Sequence, residues 1–262
     1  MSIKCKAHLY GFFSCCSVRL YDIINFFNSK NQLPALVDSR ESFGLYKKDE
    51  DHDLVFDFFE KYEITNSTEF SNVIPIDCWM FQFTNYKDIP YSRIIPFVKT
   101  YFNPNQRIQK NSDNLIQQYN IDVDNCIAVY YRGTDKKCET YIDSFDSFYN
   151  KTIDLLQSIN NEKTQILIQT DTTQFVDYIK PKLIDKNVII IKENSTSNTE
   201  KGIHYENNNI QNYNDIQILL SITLIMSKCK HIICTSGNVS IWTMFFRENA
   251  ENVHQNLNCQ WL

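Results

Sequence analysis

Three short polar runs in this chain have the residue types and spacing to grip a polyanion and to stabilise charge as a bond to it breaks. The first is Arg132-Gly133-Thr134-Asp135-Lys136, directly behind the apolar run Cys126 to Tyr131. Arginine is a permanent cation whose planar fork holds two phosphate oxygens, which suits it to neutralise a diphosphate leaving group. The second is Thr170-Asp171-Thr172, where Asp171 can accept hydrogen bonds from a ribose or a base edge. The third is Thr235-Ser236-Gly237-Asn238, whose hydroxyls, with the free N–H groups of a following helix, form a second phosphate cradle. Singly, each has a plainer duty: Arg132 as a surface ion-pair former, and Asp171, Ser236 and Asn238 as helix caps. Their convergence carries the reading.

That convergence follows from the elements that must position the runs. From Cys126 onward the pattern predicts strand Ile127 to Tyr131, helix Asp143 to Ile159, strand Gln165 to Gln169 and helix Thr173 to Leu183. Strand Val188 to Ile191, helix Asp215 to Ser227, strand His231 to Cys234 and helix Val239 to Arg247 follow. The strands are continuous apolar runs, as in a parallel sheet covered on both faces, and ligands of such sheets bind beyond the carboxyl ends of the strands. All three polar runs sit there.

The N-terminal half reads as a βαβ unit: strand Ala7 to Tyr10, Gly11, helix Ser14 to Asn28, strand Pro34 to Val37. Helices near Leu54 to Tyr62, Ser92 to Phe102 and Asn105 to Tyr119 follow, with an aromatic stretch from Cys78 to Phe83 between the first two. The expected architecture is α/β with two Rossmann-like domains facing a cleft, residues 1–122 on the acceptor side and residues 123–262 holding the nucleotide. Gly11, just after the predicted first strand, would let a sugar approach the backbone closely.

Bulk composition narrows the partners. The chain has 262 residues, 43% hydrophobic and 14% aromatic, so it can bury one large core or two modest ones. A net charge of -5 without a long Lys/Arg run gives a nucleic-acid backbone no purchase. With neither a signal-peptide run nor a stretch of the ~20 apolar residues that a spanning helix needs, the expected location is cytoplasmic. Nine cysteines without a CxxC pair indicate no zinc site and no disulfide framework.

The runs VYYRGTDK, ILIQTDT and NDIQILLSITLIMSKCKHIICTSGNVSIW resemble, in order and separation, the three motifs of the α1,6-fucosyltransferase and protein O-fucosyltransferase superfamily. The resemblance covers roughly the last two-thirds of the chain. It implies a GT-B fold, GDP-fucose as donor, and inverting transfer to a glycan or protein hydroxyl with neither metal nor other cofactor. Carried over by motif, Arg132 would contact the β-phosphate, with Gly133, Asp135 and Lys136 completing its loop. Asp171 and Thr172 would lie near the nucleoside, Asp215 would bind guanine or order the loop beneath it, and Thr235, Ser236, Gly237 and Asn238 would serve the diphosphate. The chain departs from the pattern at Tyr130, where many relatives have histidine, and at Gly237, where Ser or Thr is common.

Other readings compete. A donor such as GDP-mannose or a UDP-sugar would use the same phosphate contacts, and a non-catalytic glycan-binding relative would keep the fold alone. Asp122-Val123-Asp124 is a DxD run, but it precedes its strand and reads as a turn. His8, Asp38 and Glu41 are candidate bases for the acceptor hydroxyl, none singled out by spacing, and Asp38 with Arg40 reads equally as an internal ion pair.

Overall fold

A computed structural model of the chain describes residues 1–64, 70–73 and 81–257, Phe81 by its backbone alone. The first half of the predicted aromatic stretch, residues 78–80, therefore lies outside the described residues; its second half, Phe81–Phe83, is a turn of 3₁₀ helix.

The N-terminal half runs β1 (Ser2–Lys4), α1 (Phe12–Lys30), β2 (Leu36–Asp38), α2 (Val55–Phe58), α3 (Tyr91–Tyr101) and α4 (Gln106–Gln118). The C-terminal half runs β3 (Cys126–Tyr131), α5 (Phe145–Ile159), β4 (Gln165–Thr170), α6 (Thr173–Lys182), β5 (Asn187–Ile190), α7 (Ile203–Glu206), α8 (Asn209–Lys228), β6 (His231–Thr235), α9 (Asn238–Arg247) and β7 (Val253–Asn256). The expected βαβ unit is present, with β1 parallel to β2, but β1 lies at Ser2–Lys4 and not at Ala7 to Tyr10. It is a three-residue strand with only Ile3 turned toward the core, too short to leave a period-2 signal. The predicted helix to Tyr62 ends at Phe58, because Phe59 is extended and bridges to Pro104.

The C-terminal sheet is wholly parallel in the order β5-β4-β3-β6-β7. In the order of this half's own strands that is 3-2-1-4-5, so the direction of winding reverses between β3 and β6 and opens a crevice at their carboxyl ends. All six residues of β3 are buried. Cys126, Ala128 and Tyr130 enter one core with β4 Leu167, β6 Ile232 and Cys234, and α8 and α9, while Ile127, Val129 and Tyr131 enter another with Phe148, Phe175 and Ile179 of α5 and α6. The first core continues into the N-terminal half: Trp242 of α9 lies 6.0 Å from Phe13 of α1 and 4.8 Å from Phe102, centroid to centroid. Among the described residues no helix is long and apolar enough to cross a membrane. Of the described cysteines Cys138 is exposed and the rest are buried, all unbridged; Cys78 and Cys259 lie outside the described residues.

Candidate active site

A cavity of about 520 Å³ opens at the crevice between β3 and β6. One wall is the loop after β3. Arg132 leaves the sheet with its backbone N–H donating to Thr235 Oγ1 at 3.2 Å. Its guanidinium pairs with Asp135 on one side and Asp171 on the other and donates to Thr134 Oγ1 at 2.8 Å. Asp171 also accepts from the Gly133 N–H at 2.7 Å and the Thr134 hydroxyl at 2.5 Å. The carboxylate thus ties the loop after β3 to the end of β4 and caps no helix.

Lys136 is buried, with Nζ donating to Gln82 Oε1 at 2.6 Å and to Glu139 Oε2 at 2.7 Å, above the Phe83 ring. Burial pushes its pKa down, against the opposing pull of Glu139. Two helices direct their N-termini into the same space. α9 follows Gly237 and α1 follows Gly11, and neither start has a side-chain cap. Tyr86 Oη takes the Gly237 N–H at 3.1 Å and Tyr46 Oη takes the Phe12 N–H at 2.9 Å, so the N–H groups further into each first turn remain for a ligand. Asn238 lines the cavity with its amide donating to Gln82 Oε1 at 3.2 Å.

Of the residues expected at the site, Gly11, Arg132, Asp135, Lys136, Asp171, Asp215, Gly237 and Asn238 line this cavity. Four do not. Ser236 is buried with its hydroxyl donating to Asn256 O at 2.7 Å, so it anchors β6 to β7 and is turned away from any phosphate. Thr235 serves the Arg132 backbone, Thr172 donates to Gln174, and Gly133 lies under the loop, where an added Cβ would sit 2.6 Å from Tyr131 Cε1 and 2.7 Å from Thr172 Cγ2. These four shape the loops without facing the cavity. Asp215 is no helix cap, since α8 starts six residues earlier under Asn208; its oxygens accept from Asn207 at 2.8 Å and Gln211 at 2.7 Å.

The candidate bases move away. Asp38 chelates Arg40, which holds its carboxyl down to about 2, and Glu41 pairs with Lys4. His8 is buried behind the wall, its Nε2 2.8 Å from the hydroxyl of Ser14, which does line the cavity. The DxD run falls on a 3₁₀ turn ahead of β3, as a turn reading requires.

Sequence reasoning missed Glu139, Tyr46, Gln82, His204 and Tyr205, all on the lining. Glu139 was accessible by its place three residues beyond Lys136; His204 and Tyr205 ride on the four-residue α7, which has no periodicity to reveal it. Burial first, then the Arg132 charge, lowers the His204 pKa to about 4, so the ring is neutral near pH 7.

No family model and no curated protein sequence matches the chain. Solved structures do. A NodZ α-1,6-fucosyltransferase co-crystallised with GDP aligns over 94% of this chain and 91% of its own, with a TM-score of 0.59 and 13% identity. The same enzyme soaked with GDP-fucose gives 0.56 and 11% over 94% and 92%. Fucosyltransferase NodZ from Bradyrhizobium gives 0.54 and 13% over 94% and 92%. At such identities the likeness is one of fold, and this chain carries the GT-B-like α/β fold of the NodZ fucosyltransferases across nearly its whole length.

Proposed function

We propose that this protein is an inverting, metal-independent glycosyltransferase that moves fucose from GDP-fucose to a hydroxyl of a glycan or protein. The observation that carries the reading is Arg132, placed at the end of the central buried strand, at the switch point of a parallel sheet, beside the uncapped start of α9. A guanidinium and a helix N-terminus converging on one crevice are suited to a nucleotide diphosphate. The NodZ structures of the same fold are described with GDP and with GDP-fucose, which supports the choice of donor.

In the proposed reaction the acceptor oxygen attacks the anomeric carbon from the face opposite the diphosphate. One carbon–oxygen bond forms as the bond to the phosphate oxygen breaks, and GDP leaves with the electron pair. Arg132 and the α9 N–H groups meet the charge that develops on it. The acceptor proton goes to a base, and Glu139 is the cavity carboxylate best suited to take it. Asp135 and Asp171 are engaged with Arg132, and Asp215 is held by two amides, whereas Glu139 gives only Oε2 to Lys136. Arg132 and Lys136 are the cations on the lining, and this reading assigns the leaving charge to them in place of a divalent ion.

The test is a thermal-shift series with GDP, UDP, GDP-fucose and GDP-mannose, followed by transfer assays in EDTA. Stabilisation grows with ligand occupancy, so GDP and GDP-fucose should raise Tm more than UDP. No shift with any guanine nucleotide would sink the donor assignment, and a strict manganese requirement would sink metal independence.

A further inference from the structure

Two tyrosines follow one another on β3, and each is only 4% exposed. Tyr131 faces the core of α5 and α6 and is fully employed: its ring stacks 4.5 Å from Phe175, meets Phe145 and Phe148 edge-on, and its hydroxyl donates to Asp143 O at 3.3 Å. Tyr130 faces the other way and lines the cavity. Among the described residues its hydroxyl has no hydrogen bond and its ring no aromatic partner. That is unusual, because a tyrosine O–H withdrawn from water and left unpaired is destabilising. Burial pushes its pKa up to about 12, against the opposing pull of Arg132, so at neutral pH the group is a phenol with a proton to donate.

Tyr130 stands two residues before Arg132 on the same strand and opposite Cys234 of β6, four residues before α9 begins. The floor of the crevice therefore carries a proton donor between a guanidinium and a helix N-terminus, the two features that draw an anion. We infer that Tyr130 is a diphosphate ligand: its hydroxyl donates a hydrogen bond to a phosphate oxygen of the donor nucleotide, alongside Arg132 and the first-turn N–H groups of α9. The inference rests on the transferase reading above and gives a duty to a side chain that reading leaves idle. Asp135 and Asp171, the carboxylates beside Arg132, are already paired with it. A phosphate oxygen is favoured over a neutral sugar hydroxyl, because a hydrogen bond to a charged acceptor is the stronger and the neighbouring groups select for charge.

The experiment uses the full chain and reads affinity and stability together. GDP, guanosine and inorganic pyrophosphate are titrated by calorimetry against the wild type, Tyr130→Phe and Tyr131→Phe, and the Tm of each is taken without ligand. Tyr130→Phe should weaken GDP and pyrophosphate binding about 10- to 100-fold, the range for a hydrogen bond to a charged group, and leave guanosine binding unchanged. Its ligand-free Tm should hold or rise, because the hydroxyl removed has no partner to lose. Tyr131→Phe, which removes a bonded hydroxyl on the far face, should lower Tm and leave GDP binding unchanged. A lower ligand-free Tm for Tyr130→Phe would show its hydroxyl bonded within the fold, and GDP affinity equal to that of the wild type would show it idle; either result overturns the proposal. So does an equal loss with guanosine, which puts the hydroxyl on the nucleoside, or a loss of GDP affinity in Tyr131→Phe that matches the one in Tyr130→Phe. If the wild type binds no GDP, the donor reading fails and pyrophosphate alone decides: weaker binding to Tyr130→Phe supports the proposal, and equal or absent binding overturns it.

Discussion

The wall of the cavity that hangs from β3 and β6 is ionic, with Arg132 between Asp135 and Asp171 and Lys136 against Glu139. The wall supplied by Tyr10, Phe12, Phe13, Ser14 and Tyr46 of the N-terminal half is aromatic and hydroxylic, and none of these residues is charged. The contrast has a physical source. The ionic wall sits where strand ends and a helix start present backbone dipoles, so charge can be neutralised locally. The aromatic wall is the outer edge of a phenylalanine-rich core, in which Phe12 touches Phe43, Phe58 and Phe59. What the difference teaches is where charge can be held: at strand ends and a helix start on one side, while the other side offers rings and hydroxyls.

The largest test of that contrast is Arg132→Ala. It should reduce kcat by about 10³-fold, as removal of a preorganised charge stabiliser does, and should abolish the GDP-induced rise in Tm; near wild-type turnover would contradict the ionic wall's role. Next is Glu139→Gln, expected to slow transfer by about 10²-fold or more while GDP affinity holds, since the amide keeps the shape but cannot take a proton. Single-turnover rates with equal GDP affinity would check this; an unchanged rate removes Glu139 as base.

His8, behind the aromatic wall, and His204, on α7 near Gly11, offer a handle in acid. Burial, chiefly, lowers the pKa of both His8 and His204 to about 4 from an ordinary 6.5. Between those values the unfolded chain binds protons that the folded chain refuses, so stability should be full above about pH 6.5 and fall as pH drops toward 4. At one pKa unit per 1.36 kcal/mol, each ring accounts for up to about 3 kcal/mol. Histidine C2–H titration by NMR checks it: signals moving near pH 6.5 would show the rings charging freely. A smaller loss is expected from Gly133→Ala, about 1–3 kcal/mol, because the new methyl meets Tyr131 and Thr172, both buried. Its Tm should fall, and an unchanged Tm would mean that the loop after β3 yields more easily than its contacts suggest.

Much of the ionic wall was legible in the sequence, and little of the aromatic one. Strands buried on both faces leave unbroken apolar runs such as Ile127 to Tyr131, and the rule that ligands sit beyond strand ends then picks out Arg132, Asp171 and Gly237 without coordinates. What could not be read was direction. Ser236 and Thr235 belong to the expected turn, yet their hydroxyls are taken by Asn256 and by the Arg132 backbone, a choice made by tertiary packing. The N-terminal loop is the opposite case. β1 is three residues long and α7 four, too short for periodicity, so neither the loop that carries Tyr10 nor the turn that carries Tyr205 leaves a pattern in the sequence. β7, reading Val253–Asn256, was missed because a polar edge strand resembles a loop.

The double burial of β3 bears on how this protein should fail when heated. Its odd residues and its even residues belong to different cores, so the strand cannot loosen without dismantling both. Amide protons along Cys126–Tyr131 should therefore exchange only through whole-molecule opening, and the cradle hung on the end of that strand should lose order last. Loss of nucleotide binding and loss of the fold should share one melting curve.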